Sequence, residues 1–465
     1  MFNRLYHLLL LVLILLTAPF TTHAKEHVLS AAFAQNYLKA SNVDAGDRDG
    51  NGDTFGSSVA INGDTLVIGA RLEDGNNDDT LSSGAVYVFI KVNGQWVEQA
   101  YLTASNSSND LRFGQSVAIS GDTLIVGAHL EDTSANDSGA VYVFTRSSNI
   151  WTEQTILKAS NPANGDNFGY SVDINGNSIV VGAYTEDGAD NGTQDDAGAA
   201  YVFTGSGAIW SEQAYLQASN IGSGDNFGIS VAINSDTVVV GASSENGADN
   251  GMQDDVGAAY VFVRSGVNWS QQAFLGASNT QAKDNFGISV DISGDSIVVG
   301  AFLEDGIDNG TQDNSGAAYV FTRTGVSWSE QALLKSFNVG TDDSFGNAVS
   351  IDGETILVGA IFEDGDGING VDNNATENSG AAYLFTRSMN TWTQQSYIKA
   401  SNTDIQDEFG HAVALSGNNI IVSAPGEDSA LINDPNDNTL ASATFGAGAA
   451  YAFNTTDLIF SNGFE

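Results

Sequence analysis

Phe168-Gly-Tyr-Ser-Val-Asp-Ile174, Ser178-Ile-Val-Val-Gly-Ala183, Gly198-Ala-Ala-Tyr-Val-Phe203 and Ile209-Trp-Ser-Glu-Gln-Ala-Tyr-Leu-Gln-Ala-Ser219 follow one another in the middle of the chain. Each is a short run rich in Val, Ile, Phe, Tyr or Trp, bounded by Gly, Asn, Asp or Ser, and so reads as a β-strand with turn punctuation. The set recurs. Its opening Phe-Gly pair stands at Phe55-Gly56, Phe113-Gly114, Phe168-Gly169, Phe227-Gly228, Phe286-Gly287, Phe345-Gly346 and Phe409-Gly410. A chain of 465 residues would suggest about three domains by length. Seven copies of one unit override that expectation.

The first turn of each copy is tight. Asn62-Gly63-Asp64, Gly121-Asp122 and Gly353-Glu354 suit hairpin loops that need positive φ. The third strand is apolar on both faces: Ala85, Tyr87 and Phe89 alternate with Val86 and Val88, as in a sheet packed between two others. These features predict an all-β fold, a seven-bladed β-propeller of four-stranded antiparallel blades. The seventh copy stops after Gly448–Phe453, and all six tryptophans, Trp96, Trp151, Trp210, Trp269, Trp328 and Trp392, fall in the fourth segments of the first six. Phe33–Asn42, which precedes the first copy, matches such a fourth segment, for example Glu98–Asn106. The N-terminal strand is therefore expected to complete blade seven and close the ring, removing two sheet edges.

Phe-Gly opening strand one and Val-Gly-Ala ending strand two resemble the FG-GAP repeat, found in integrin α-subunit propellers and in many exported bacterial proteins. The second element reads VIGA at 67–70, IVGA at 125–128, VVGA at 180–183, 239–242 and 298–301, LVGA at 357–360 and VSAP at 422–425. The resemblance covers about residues 33–453 and implies the propeller fold, with binding or adhesion among its uses. In integrin-type repeats a DxDxDG calcium loop joins these two strands. Here the tight turn stands in that place, so no calcium ligands carry over to it.

The formal charge is −42, from 57 acidic residues against 15 Lys and Arg. Such a field repels nucleic acid and anionic membranes and leaves cations, neutral sugars and basic protein patches as partners. The absence of cysteine excludes disulfides, thiol catalysis and Cys-based metal sites. Arg4, the apolar run Leu8–Leu16 and Thr22-His23-Ala24 read as a signal peptide over 1–24, cleaved before Lys25. The run is too short to span a bilayer comfortably, and no second run of spanning length follows. The expected product is a monomer, secreted or on the cell surface or in the periplasm, with the propeller over 25–453 and a tail over 454–465. The tail ends Asp457-Leu-Ile-Phe-Ser-Asn-Gly-Phe-Glu465, which is similar to closing tails of exported proteins in some Gram-negative bacteria. It reads equally as a sorting signal and as a loose end.

Strand alternation puts the 1–2 and 3–4 turns on one face of the disc and the 2–3 and 4–1 connections on the other. The 2–3 loops, from His129–Ser138 to Pro425–Ala447, hold about half of the acidic residues. Glu186–Asp196, Glu245–Asp255 and Glu304–Asn314 share one pattern of carboxylates and Asn spaced by glycine. Oxygen ligands on a tightly folding backbone suit calcium. The candidates are Asp187, Asp190, Asn191 and Asp195, then Asp249, Asn250 and Asp254, then Asp305, Asp308, Asn309 and Asp313. Self-capped turns use the same residues, and both readings stand. Asp47, Asp49, Asn51 and Asp53 form a second candidate with the alternation of an EF-hand-type loop, but Ser58 occupies the closing twelfth position.

The Phe and Trp of each repeat read as packing residues in preference to sugar platforms. His411, at the start of an inner strand, and His129, which opens a 2–3 loop, have no partner nearby in sequence and read as structural. Loop carboxylates keep an acid/base hydrolase or lyase acting on carbohydrate in view. Against it, the loops are nearly identical, whereas a catalytic centre breaks the symmetry of a repeat. The residues lean toward a non-catalytic propeller that binds or adheres to an extracellular protein or carbohydrate through its acidic face, with a structural envelope component as a further alternative.

Overall fold

The computed structural model describes residues 36–42, 52–75, 80–188, 195–220, 222–246, 255–279, 281–305, 314–338, 340–365, 376–428 and 446–455. They form seven four-stranded antiparallel sheets, six of them paired in chain order and the seventh joining the first strand of the chain to its last three. In blade three the strands are Ser171–Asn175, Ser178–Ala183, Ala199–Ser206 and Ile209–Leu216. Neighbouring first strands touch in succession, and that of blade seven, Val413–Ser416, touches that of blade one, Phe55–Asn62, so the sheets stand in a closed ring around an axis lined by first strands.

Closure is made by the chain's two ends. Asn36–Leu38 pairs with Ala449–Asn454 in the register Asn36 to Ala452, Tyr37 to Tyr451 and Leu38 to Ala450. The pairing is shorter than the segment Phe33–Asn42 expected from the sequence, because from Lys39 onward the chain turns across to blade one; Phe33 to Gln35 lie outside the described residues. Leu38 and Ala40 share one core with Phe55 and Tyr87 of blade one and Ile421 and Ala450 of blade seven.

The repeated residues do the same work seven times. Phe168 is fully buried and meets Tyr201 and Phe203 edge-on, at centroid separations of 5.3 and 6.0 Å. Its backbone N–H donates to the Ser138 carbonyl of the preceding blade at 3.2 Å. Third strands such as Ala199–Ser206 are buried from Ala199 through Phe203, as the double-sided apolar pattern requires, and the second strand Ser178–Ala183 is buried throughout. The tight turns take the expected left-handed glycines, with φ of 59° at Gly63, 60° at Gly121 and 57° at Gly353. At the outer edge the tryptophans pack as the sequence suggests. Trp151 lies 5.1 Å beneath the Arg146 guanidinium and donates its Nε1–H to Gln99 of the preceding blade at 2.9 Å.

Candidate functional site

The face bearing the 2–3 loops is built on a latch that joins each blade to the next. After the fourth strand the chain crosses over, and an Asn enters the neighbouring blade. Asn161 donates to the buried Glu186 at 2.8 Å and accepts from the Tyr201 hydroxyl at 2.8 Å. Asn42, Asn106, Asn220, Asn279, Asn338 and Asn402 repeat this. The glutamates they hold are at most 3% exposed. Four receive a lysine: Lys39 on Glu427 at 2.5 Å, Lys399 on Glu363 at 2.8 Å, Lys158 on Glu131 and Lys335 on Glu304. In blades one, three and four that lysine position holds Thr103, Gln217 and Gly276.

A buried Asp two residues before each Phe stands beside the glutamate in every blade but the second, where Leu111 replaces it. Burial raises the pKa of Asp407 to about 8, with Glu427 adding to the rise. It raises Asp284 to about 7 and Asp166 to about 6. Asp53 occupies this same position, and its carboxyl is hydrogen-bonded to Glu73. It is a repeat residue of blade one as well as the last member of the EF-hand-like stretch; Asp47, Asp49 and Asn51 lie outside the described residues.

Of the loop candidates, Asp187, Asp195 and Asp305 are described. Asp187 Oδ1 accepts from the Asp196 N–H at 3.2 Å, and Asp305 Oδ1 accepts from the Asn314 N–H at 3.0 Å, so each pins the two ends of its loop together. Asp195 is exposed. Asp190, Asn191, Asp249, Asn250, Asp254, Asp308, Asn309 and Asp313 lie outside the described residues. Among the described residues no group of three or more His, Asp or Glu is arranged to hold a metal ion.

At the centre of this face the repeat loses its symmetry. The residue after each Phe-Gly pair is Ser57, Gln115, Tyr170, Ile229, Ile288, Asn347 or His411, and the residue after each second strand is Arg71, His129, Tyr184, Ser243, Phe302, Ile361 or Pro425. Both positions open where the first two strands end at the axis. His129 meets Tyr170 edge-on at 5.4 Å, and Tyr170 lies 4.4 Å from Tyr184. Arg71 Nη1 donates to Gln115 at 3.4 Å. Burial holds both histidines neutral, pushing His129 down to about 3 and His411 to about 4, with the Arg71 charge adding to each fall. The Nδ1 atoms of both, and Asn347 Oδ1, are buried with no hydrogen-bond partner among the described residues. Two histidines that look isolated in sequence thus flank one arginine. Their signal was present as the two positions of each repeat that do not repeat, directly after invariant neighbours.

The fold and this face define a closed propeller with a plain side and an elaborated side. The FG-GAP repeat model matches seven times, over residues 35–89, 96–144, 151–203, 210–262, 269–321, 328–385 and 392–453, and the chain belongs to the FG-GAP repeat family. The first match begins in the N-terminal closing segment, and each later one begins in a fourth strand, so the family unit carries the same stagger as the ring closure. No curated protein matches the chain. Among the described residues no helix is long and apolar enough to cross a membrane.

Proposed function

We propose that this chain is an exported, non-catalytic binding propeller that engages an extracellular protein or carbohydrate with the face bearing the 2–3 loops, and that calcium stabilises those loops. The observation that carries the reading is the concentration of sequence difference among repeats at the axial positions of that face, between residues that hardly vary. Selection for packing alone would keep these positions alike, as it does the Phe, Gly and Tyr beside them.

The chain has no cysteine, so one can be introduced at will. Ser134→Cys is exposed in a 2–3 loop, and Asn177→Cys is exposed in a tight turn of the opposite face. Capping each with a bulky polymer and probing an array of glycans and extracellular proteins should abolish binding for the first and spare it for the second. The reverse pattern would move the ligand to the other face. For calcium, thermal melts in chelator, in millimolar calcium and in millimolar magnesium should separate, calcium adding about 2.7 kcal/mol per site at a hundredfold excess over its Kd. Equal melts in all three would leave the loops as capped acidic turns, and an equal magnesium effect would mean charge screening.

A further inference from the structure

Arg71 stands apart among the described cations. Four lysines sit on buried glutamates. Four arginines lie over tryptophan rings and against an acidic residue of a tight turn. Lys91 lies over Trp96, Arg112 pairs with Asp110 at 3.4 Å, and Lys283 is exposed to solvent. Arg71 is half-buried and, among the described residues, has no carboxylate within ion-pair distance and makes one long side-chain hydrogen bond, to Gln115, with Glu408 acting on it from farther away. A partly desolvated guanidinium that feels Glu408 only from beyond ion-pair distance, in a chain of net charge −42, marks a place that a directly bound anion completes.

We propose that the axial opening binds a saccharide bearing a carboxylate, with Arg71 taking the carboxylate and His129, His411, Tyr170 and Tyr184 taking the sugar. This rests on the reading of that face as the ligand face and names the ligand's class. A lone guanidinium fork matches a single carboxylate in two parallel hydrogen bonds. Each imidazole holds a buried Nδ1 with no hydrogen-bond partner among the described residues, a polar atom that a ligand hydroxyl, able to donate and accept, would satisfy. The paired Tyr170 and Tyr184 rings give an aromatic wall for the C–H face of a pyranose. Across the ring Ile229, Ile288, Ile361 and Phe302 hold the equivalent positions, so charge and hydrogen bonding lie on one side of the opening and apolar surface on the other. One anionic group, several hydroxyls and an apolar ring face together describe an acidic sugar. The surrounding acidic loops disfavour densely charged polyanions, so the ligand carries its carboxylate in a largely neutral saccharide.

The test is calorimetric titration of the full chain with aldotriouronic acid and 3′-sialyllactose, each beside its methyl ester, and with an N-acetyl-aspartyl peptide. Submillimolar binding of at least one acid is expected, and esterification or Arg71→Met should weaken it about ten- to a hundredfold. Arg71→Lys, which keeps the charge and loses the fork, should fall between. Tyr170→Ala should weaken acid and ester alike. Melting curves confirm that each variant is folded. Millimolar or weaker binding of every acid, equal binding of acid and ester, or equal binding of the peptide would overturn the proposal. If polymer at Ser134 blocks array binding while Arg71→Met leaves it intact, the ligand face stands and the Arg71 assignment falls.

Discussion

A methyl group added to Gly241 would sit 1.9 Å from the carbonyl oxygen of Gly287 in the next blade. The same holds at Gly182 against Gly228, at 2.0 Å, so the glycine of each Val-Gly-Ala is there because two backbones meet. Its partner in the Phe-Gly pair is constrained twice: Gly287 has φ of 97°, and a Cβ there would lie 2.2 Å from the Ala258 carbonyl. The seventh repeat departs from the pattern with Ser423, whose hydroxyl instead bonds back to Ala412 within its own blade. Gly241→Ala should therefore destabilise the protein by about 1 to 3 kcal/mol or more, since neither backbone can retreat without moving a blade. Gly276→Ala is the matched control: its Cβ would meet only the Phe274 ring, at 3.6 Å. It should be neutral or slightly stabilising through the unfolded chain. Chemical denaturation of the two variants, read as midpoints at constant slope, separates the outcomes.

At the scale of elements, the short strand Asn36–Leu38 does more than its three residues suggest. Behind it Lys39 reaches Glu427 in blade seven, the Tyr37 hydroxyl donates to the same carboxylate at 2.8 Å, and Asn42 latches Glu73 and Tyr87 in blade one. Removing residues 33–42 strips the outer strand from blade seven and the latch from blade one together. That variant should lose most of its cooperative melt and aggregate through the bared edge of Ala449–Asn454. Lys39→Met is the finer probe. It leaves a buried carboxylate without its cation and should cost about 3 to 5 kcal/mol. A wild-type melting temperature in either variant would show that the ring does not depend on this segment.

For the whole molecule, buried carboxyls set how stability follows pH. Asp407 is raised to about 8, and Asp284 and Asp291 to about 7, each by burial first. Unfolded, these groups titrate near 4, so between the two values the folded state holds more protons and stability falls as pH rises. Below about pH 6.5 the depressed His129 and His411 act in the opposite sense, and above about pH 8 so does Lys158, lowered to about 8 by burial. The clear window is thus pH 6.5 to 8, where the melting temperature should drop, Asp407 alone contributing on the order of 2 kcal/mol. Asp407→Asn should flatten that slope; an unchanged slope would remove Asp407 as its source.

The fold was legible because period-two apolar runs, turn residues and a sevenfold Phe-Gly pair all speak about neighbours in sequence. The split seventh repeat even exposed the closure. The latch was harder to see: Ala-Ser-Asn looks like a strand end until Asn161 is found on Glu186 of the next blade. Arg71, His129, Tyr170 and His411 were illegible as a group, since they belong to four repeats and converge only when the ring is closed. Equivalent positions in a propeller are neighbours across the axis, and a reading along the chain cannot weigh that.

Ring closure by Asn36–Leu38 also has a consequence in time. The strand is among the first parts of the propeller to leave the ribosome, and its partner Ala449–Asn454 is among the last. At about 5 to 20 residues per second, it waits on the order of tens of seconds for the edge it must cover. Through that interval six complete blades can assemble while the ring stays open, and the final blade forms only from both ends of the chain at once.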